Sequence, residues 1–257
     1  MKPCLAGKPA LFQKKYINRS FLITSAFNLN SFCLTTSVVN FDFYQIYPRY
    51  NLKKEHKPET TLTRRKHWLF CVVKMACIML LQPLFRIKAE GIENLPQDKA
   101  YVLLPKHQRW EDIPLIGLAA KKPLYYIAKH ELFTIPLSKW FFVSLGGIPL
   151  NRKKPLESRK SLLAVIGLLK EGEGVVLFPE GTYYKDAMGP GHKGIVRLIL
   201  SRLSIPFIPV GIKYSKQRLR TLTKVRFGDA LYPAQAGSAD LFLDILMKKI
   251  ADLSGLG

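Results

Sequence analysis

Acidic residues are scarce in this chain. Eighteen Asp and Glu stand against 40 Lys and Arg in 257 residues, a formal charge of +22, and none precedes Asp42. Such an imbalance calls for a polyanionic partner, whether nucleic acid, an anionic membrane surface or phosphorylated substrates. The basic clusters, Arg64-Arg65-Lys66, Arg152-Lys153-Lys154 and those between Lys213 and Arg226, carry neither zinc-finger spacing nor an aromatic RNP-like motif. No nucleic-acid partner is therefore expected. Cysteine is also sparse. Cys4, Cys33, Cys71 and Cys77 lack metal-ligand spacing and none sits where a nucleophile is needed, so they are expected to act as small hydrophobes in a reducing compartment, with no metal site. Internal repeats and low-complexity tracts are absent, and the longest apolar run, beginning at Trp68, is interrupted by Lys74.

The apolar residues that are present, 48% of the chain, suffice for one packed α/β domain with an appendage. Tyr101 to Leu104 and Gly174 to Phe178 are continuously apolar, as buried parallel strands require. Phe85 to Gly91 alternates as an opening strand, Leu124 to Ala128 and Phe207 to Lys213 are further strands, and Leu156 to Lys170, Ile195 to Leu203 and a segment capped by Ser238 are helices. Strands alternating with helices give an α/β fold with a mainly parallel sheet flanked by helices.

His107 and Asp112, in Lys106-His107-Gln108-Arg109-Trp110-Glu111-Asp112-Ile113-Pro114, join an imidazole to a carboxylate directly after an apolar strand. Five residue steps of about 100° would put the two on different faces of a helix, so they meet only if the backbone turns between them. The flanks predict such a turn: a strand before, and Pro114 in the first turn of a helix after, with Asp112 as its N-cap. Ligands of α/β proteins bind at this carboxyl end of the sheet. A neutral His whose second nitrogen is held by a carboxylate can take a proton from a hydroxyl as it attacks. His107 is thus the candidate general base and Asp112 its orienting partner. His192, in a Gly-rich loop without Walker spacing, is expected to be a surface residue.

Three further blocks follow in order: Gly146-Gly147-Ile148-Pro149-Leu150-Asn151-Arg152, Phe178-Pro179-Glu180-Gly181-Thr182, and Ile205-Pro206-Phe207-Ile208-Pro209-Val210. With the HxxxxD pair they resemble the glycerolipid acyltransferases, which include lysophosphatidic acid acyltransferase and glycerol-3-phosphate acyltransferase, over about residues 85 to 230. The resemblance implies acyl transfer from acyl-CoA or acyl carrier protein to the hydroxyl of lysophosphatidic acid, giving phosphatidic acid, with no prosthetic cofactor. It suggests Lys129, Gly147, Asn151, Arg152, Glu180, Gly181, Thr182 and Pro209 as substrate-binding positions. Glu180 beside a phosphate is explained best if it anchors an Arg or Lys.

The chain departs from that pattern at three places. Tyr183 stands where Arg commonly follows the Gly-Thr pair, Arg109 where Ser is common, and Lys106 where Asn is common. These substitutions keep other acceptors open: glycerol-3-phosphate, another lysophospholipid or a lyso-aminolipid. A non-catalytic protein that binds anionic membranes is the alternative from a different class.

Basic residues beside an apolar segment with a Trp at its edge imply a membrane-associated helix over 61–85, interfacial or half-inserted, on the cytoplasmic face of the inner membrane. Residues 86–257 then form the acyltransferase domain. Residues 1–60, basic and rich in Asn, Ser and Thr, are like a transit peptide without a clear cleavage site; a translation start placed too far upstream, with Met75 among the alternatives, is the other reading. Little stable structure is expected there.

Overall fold

The computed structural model describes residues 65–120, 122–151, 158–233 and 238–257; the 1–60 extension and Arg152 lie outside them. Seven strands form one sheet, β1 (Phe85–Glu90), β2 (Tyr101–Pro105), β3 (Tyr125–Lys129), β4 (Gly147–Leu150), β5 (Gly174–Val176), β6 (Phe207–Lys216) and β7 (Thr221–Phe227), in the order β1-β7-β6-β2-β5-β3-β4. Every pairing is parallel except β6 with β7, an antiparallel hairpin. The mainly parallel sheet expected from the apolar runs is present.

Both faces of the sheet are covered, which is why the central strands are apolar throughout. Along β2, Val102 and Leu104 join the core beneath α4 (Arg159–Lys170), α5 (Lys193–Leu200) and α6 (Ala239–Ser254). Tyr101 and Leu103 point the other way, into a core closed by α2 (Asp112–Ala119). Ser238 caps α6 as its sequence position predicts, its hydroxyl accepting from the Leu241 amide. Pro209 is tolerated in a central strand because its nitrogen lies on the β7 side, between the Phe207–Leu231 bridge and the start of the ladder at Val210–Phe227. No ladder donor is lost there.

Helix α1 (His67–Leu81) is shorter than its apolar run. Gln82 to Leu84 form a turn and Phe85 already belongs to β1, so the expected extension of the helix to residue 85 is corrected; Pro83 cannot continue the ladder. Among the described residues no helix is long and apolar enough to cross a membrane. Leu81 of α1 packs with Phe85 and Leu115. Its other face, Trp68, Val72, Met75, Met79 and Leu80, is exposed, and α3 (Pro136–Ser144), tied to α1 by the Lys66 amide donating to Ser144 O at 2.8 Å, adds exposed Leu137 and Trp140.

Candidate active site

The site is built at the carboxyl ends of β2, β5 and β6. Asp112 is the first residue of α2 rather than its cap, a correction to its expected position, and its carboxylate turns back toward the preceding loop. Oδ2 accepts from the amides of Gln108 (2.6 Å) and Arg109 (2.8 Å) and from His107 Nδ1 (3.2 Å). Oδ1 accepts from the Tyr214 hydroxyl at 2.5 Å. An acceptor so placed requires the imidazole proton on Nδ1, which leaves Nε2 with a free lone pair. Nε2 has no hydrogen-bond partner among the described residues, while the ring is held between Phe178, stacked at 3.9 Å, and the edge of Tyr183 at 4.4 Å. Packing therefore fixes the ring plane and the carboxylate fixes its rotation.

Behind His107 lies a buried ion pair. Lys106 Nζ is 2.7 and 2.8 Å from the two oxygens of Glu180 and donates to Tyr184 O at 2.8 Å. The same carboxylate accepts from the amides of His107 (3.0 Å) and Gly189 (2.7 Å). A charge pair away from water is tolerated only when its remaining valences are filled, and here they are. Glycine is required on both sides of the loop. Gly181 has φ 70°, the left-handed region, and a Cβ at Gly189 would lie 2.2 Å from the Tyr184 ring.

The assigned substrate positions separate into groups. Gly181 and exposed Thr182 lie on the loop beside His107, but Glu180, 1% exposed, has no free surface; its assignment as a substrate contact is corrected to the anchoring of Lys106 and two amides. Gly147 is at the amino end of β4, opposite the dyad, where a Cβ would meet Phe142 O at 2.8 Å, so its need for glycine is steric. Pro209 is likewise buried packing, against Gly228. Asn151 closes the loop before α4 through backbone bonds to the Ser158 hydroxyl. Lys129 ends β3 as an exposed side chain 3.4 Å from Glu131, separated from β2 by β5.

Lys106, Gln108, Tyr214 and Phe178 are site residues that motif reading did not assign. Gln108 bridges the loops, donating to Ile212 O at 2.7 Å and accepting from the Asp186 amide at 3.3 Å. Tyr214 is 102 residues from Asp112, so no local spacing could reveal it. For Lys106 a signal existed: a cation directly follows one buried apolar strand and an anion stands four residues after the end of another.

A mainly parallel α/β sheet with a His–Asp dyad on the loop after a central strand defines a general-base site of the kind that acyl transfer to a hydroxyl requires. The acyltransferase family model matches residues 86–213, and that segment, which carries the dyad, belongs to that family. Among curated relatives, the chloroplastic 1-acyl-sn-glycerol-3-phosphate acyltransferase BAT2 of Brassica napus is 30% identical over 75% of this chain and 58% of its own length. The 1-acyl-sn-glycerol-3-phosphate acyltransferase of Bacillus subtilis is 35% identical over 50% of this chain and 63% of its own. The chain thus spans less than two thirds of these relatives. The crystal structure of the 1-acyl-sn-glycerophosphate acyltransferase PlsC from Thermotoga maritima shares the fold, with a TM-score of 0.57 at 23% identity over 74% of this chain and 77% of that one.

Proposed function

We propose that the chain transfers a fatty acyl group from acyl-CoA or acyl-ACP to the free hydroxyl of lysophosphatidic acid, giving phosphatidic acid. The observation that carries this reading is the His107–Asp112 dyad with its unpartnered Nε2; the names of the curated relatives support the acceptor. As the hydroxyl oxygen attacks the thioester carbonyl, Nε2 takes its proton, and Asp112 stabilises the imidazolium. The tetrahedral intermediate collapses by breaking the C–S bond, and the imidazolium returns the proton to the departing thiolate. The products are an ester and a free thiol. No side-chain nucleophile intervenes, so transfer is direct. No prosthetic group takes part; the thioester carrier is a substrate.

The exposed apolar faces of α1 and α3, beside the basic Arg65, Lys66 and Lys139, support attachment to an anionic membrane, at the cytoplasmic face of the inner membrane, where a lysophospholipid acceptor is within reach. A second reading is the same reaction on glycerol-3-phosphate or another lysophospholipid. Tyr183 supports it, because this residue packs on the base and offers no cation to a phosphate.

The test is release of free thiol from acyl-CoA in response to a panel of acceptors. Lysophosphatidic acid should give the largest kcat/KM, and His107→Ala should abolish release while circular dichroism stays native. Retention of turnover by that variant would refute the assignment, and a competent acyl-protein trapped by rapid quench would refute direct transfer.

A further inference from the structure

A hollow of about 460 Å³ opens beside the dyad, on the Asp112 side, lined by Gln108, Arg109, Lys185, Asp186, Tyr214, Lys216 and Thr221. It borders the catalytic network, since its lining residue Tyr214 bonds Asp112 and Arg109 lies over the Tyr214 ring at 4.6 Å. Three cations face one carboxylate, leaving two positive charges. Among the described residues none of Arg109, Lys185 and Lys216 is in an ion pair.

The cations come from three separate segments, and each backbone is fastened in place. The Arg109 amide donates to Asp112 Oδ2, Lys216 pairs with Thr221 in the β6–β7 ladder, and Lys185 lies between Tyr184, whose amide donates to His107 O at 2.9 Å, and Asp186, whose amide donates to Gln108. Asp186 is held at φ 54°, the left-handed region, the one described residue other than glycine with a positive φ. Like charges gathered on fastened backbones repel one another unless an anion sits among them. A stacked guanidinium offers a planar fork and the two ammonium groups offer free donors, a set that suits the several oxygens of a doubly charged phosphoryl group better than a single carboxylate.

We propose that this hollow is a phosphoryl-binding site for a substrate, distinct from the positions assigned by motif. The inference rests on the acyl-transfer reading for its source, which is either the phosphate monoester of the acceptor or the phosphates of a coenzyme A carrier. It places substrate charge next to Tyr214 and so next to the carboxylate that orients the base. Arg109, where Ser is common, then acts with Lys185 and Lys216 in holding charge that Tyr183 does not.

Lysine footprinting of the whole chain with an amine-acylating reagent tests the site without turnover. With inorganic pyrophosphate at several times its Kd, labelling of Lys185 and Lys216 should slow roughly fivefold, since protection follows one plus the ratio of ligand to Kd. Exposed Lys248 on α6 should be unaffected, and Arg109→Ala should remove the protection. Equal labelling with and without pyrophosphate overturns the site, whatever the activity. Kinetics of Arg109→Ala and of the exposed Lys216→Ala then identify the source. A KM for lysophosphatidic acid raised about tenfold, with none for monoacylglycerol, assigns the acceptor phosphate. The same rise for acyl-CoA, with none for acyl-pantetheine, assigns the carrier, and no change in either overturns a substrate role. Absence of acyl transfer altogether would remove the proposed function and leave the footprint standing.

Discussion

Lys106 and Glu180, both withdrawn from solvent, form a two-point ion pair that joins the end of β2 to the loop after β5. Because Glu180 also accepts the His107 amide, the pair fixes the backbone that carries the base. Glu180→Ala would strand a buried ammonium and unfasten that backbone, with an expected loss of about 3–5 kcal/mol. Glu180→Gln combined with Lys106→Met removes both charges and keeps an acceptor for one of the two amides, so it should recover part of that loss. Urea denaturation of the single and double variants measures the coupling, and strictly additive effects would show that the pair is not a unit.

Asp112→Asn separates charge from shape. The amide oxygen can accept from the Gln108 and Arg109 amides while the amide nitrogen donates to the Tyr214 oxygen, so the turn should survive. The charge that stabilises the imidazolium is lost, and kcat should fall by roughly 10³- to 10⁴-fold. A near-native thermal transition with that drop in thiol release is the expected pair of results. A fall of only a few-fold would leave Asp112 as a turn residue alone.

Burial, then the charge of Asp112 and the hydrogen bond to it, raises the Tyr214 hydroxyl well above the ordinary phenol range. The folded chain therefore keeps this proton to higher pH than the unfolded chain does. Its contribution to stability is whole below about pH 10, the unfolded value, and declines as pH rises beyond it. Tyr214→Phe should flatten the alkaline limb of the stability profile, measured by urea unfolding between neutral pH and pH 11. An unchanged limb would show that Tyr214 ionises normally in the fold.

Met79 and Leu80 lie on the exposed stripe of α1 and make few core contacts. Met79→Ser with Leu80→Ser should leave the folded chain intact but weaken flotation with phosphatidylglycerol vesicles by at least about tenfold, as loss of two buried apolar side chains requires. Undiminished flotation would assign membrane attachment to another surface.

Continuous apolar runs made β2, β5 and β6 legible, and the Pro114 turn located the dyad between β2 and α2. Other elements were hidden for physical reasons. In β7, Thr221 to Phe227 carries Lys224 and Arg226 on an alternating pattern, so charge obscured a strand that its pairings with β6 and β1 stabilise. Helix α3 exposes Leu137 and Trp140, which blurs the apolar stripe by which a helix is recognised. Gly147 and Pro209 belong to genuine family blocks, but their positions answer packing needs that spacing cannot distinguish from ligand contact.

By itself the sequence determined whatever is local: strand, turn and helix around His107 bring Asp112 and the Gln108 and Arg109 amides together within six residues. Those contacts need only a chain that bends once. The tertiary structure alone decided that Tyr214 reaches Asp112, that Glu180 neutralises Lys106, and that Arg109, Lys185 and Lys216 share one hollow. Tyr214 is 102 positions from Asp112 and Glu180 is 74 from Lys106, and only the order β6-β2-β5, set by burying apolar strands in the middle of the sheet, brings their ends together.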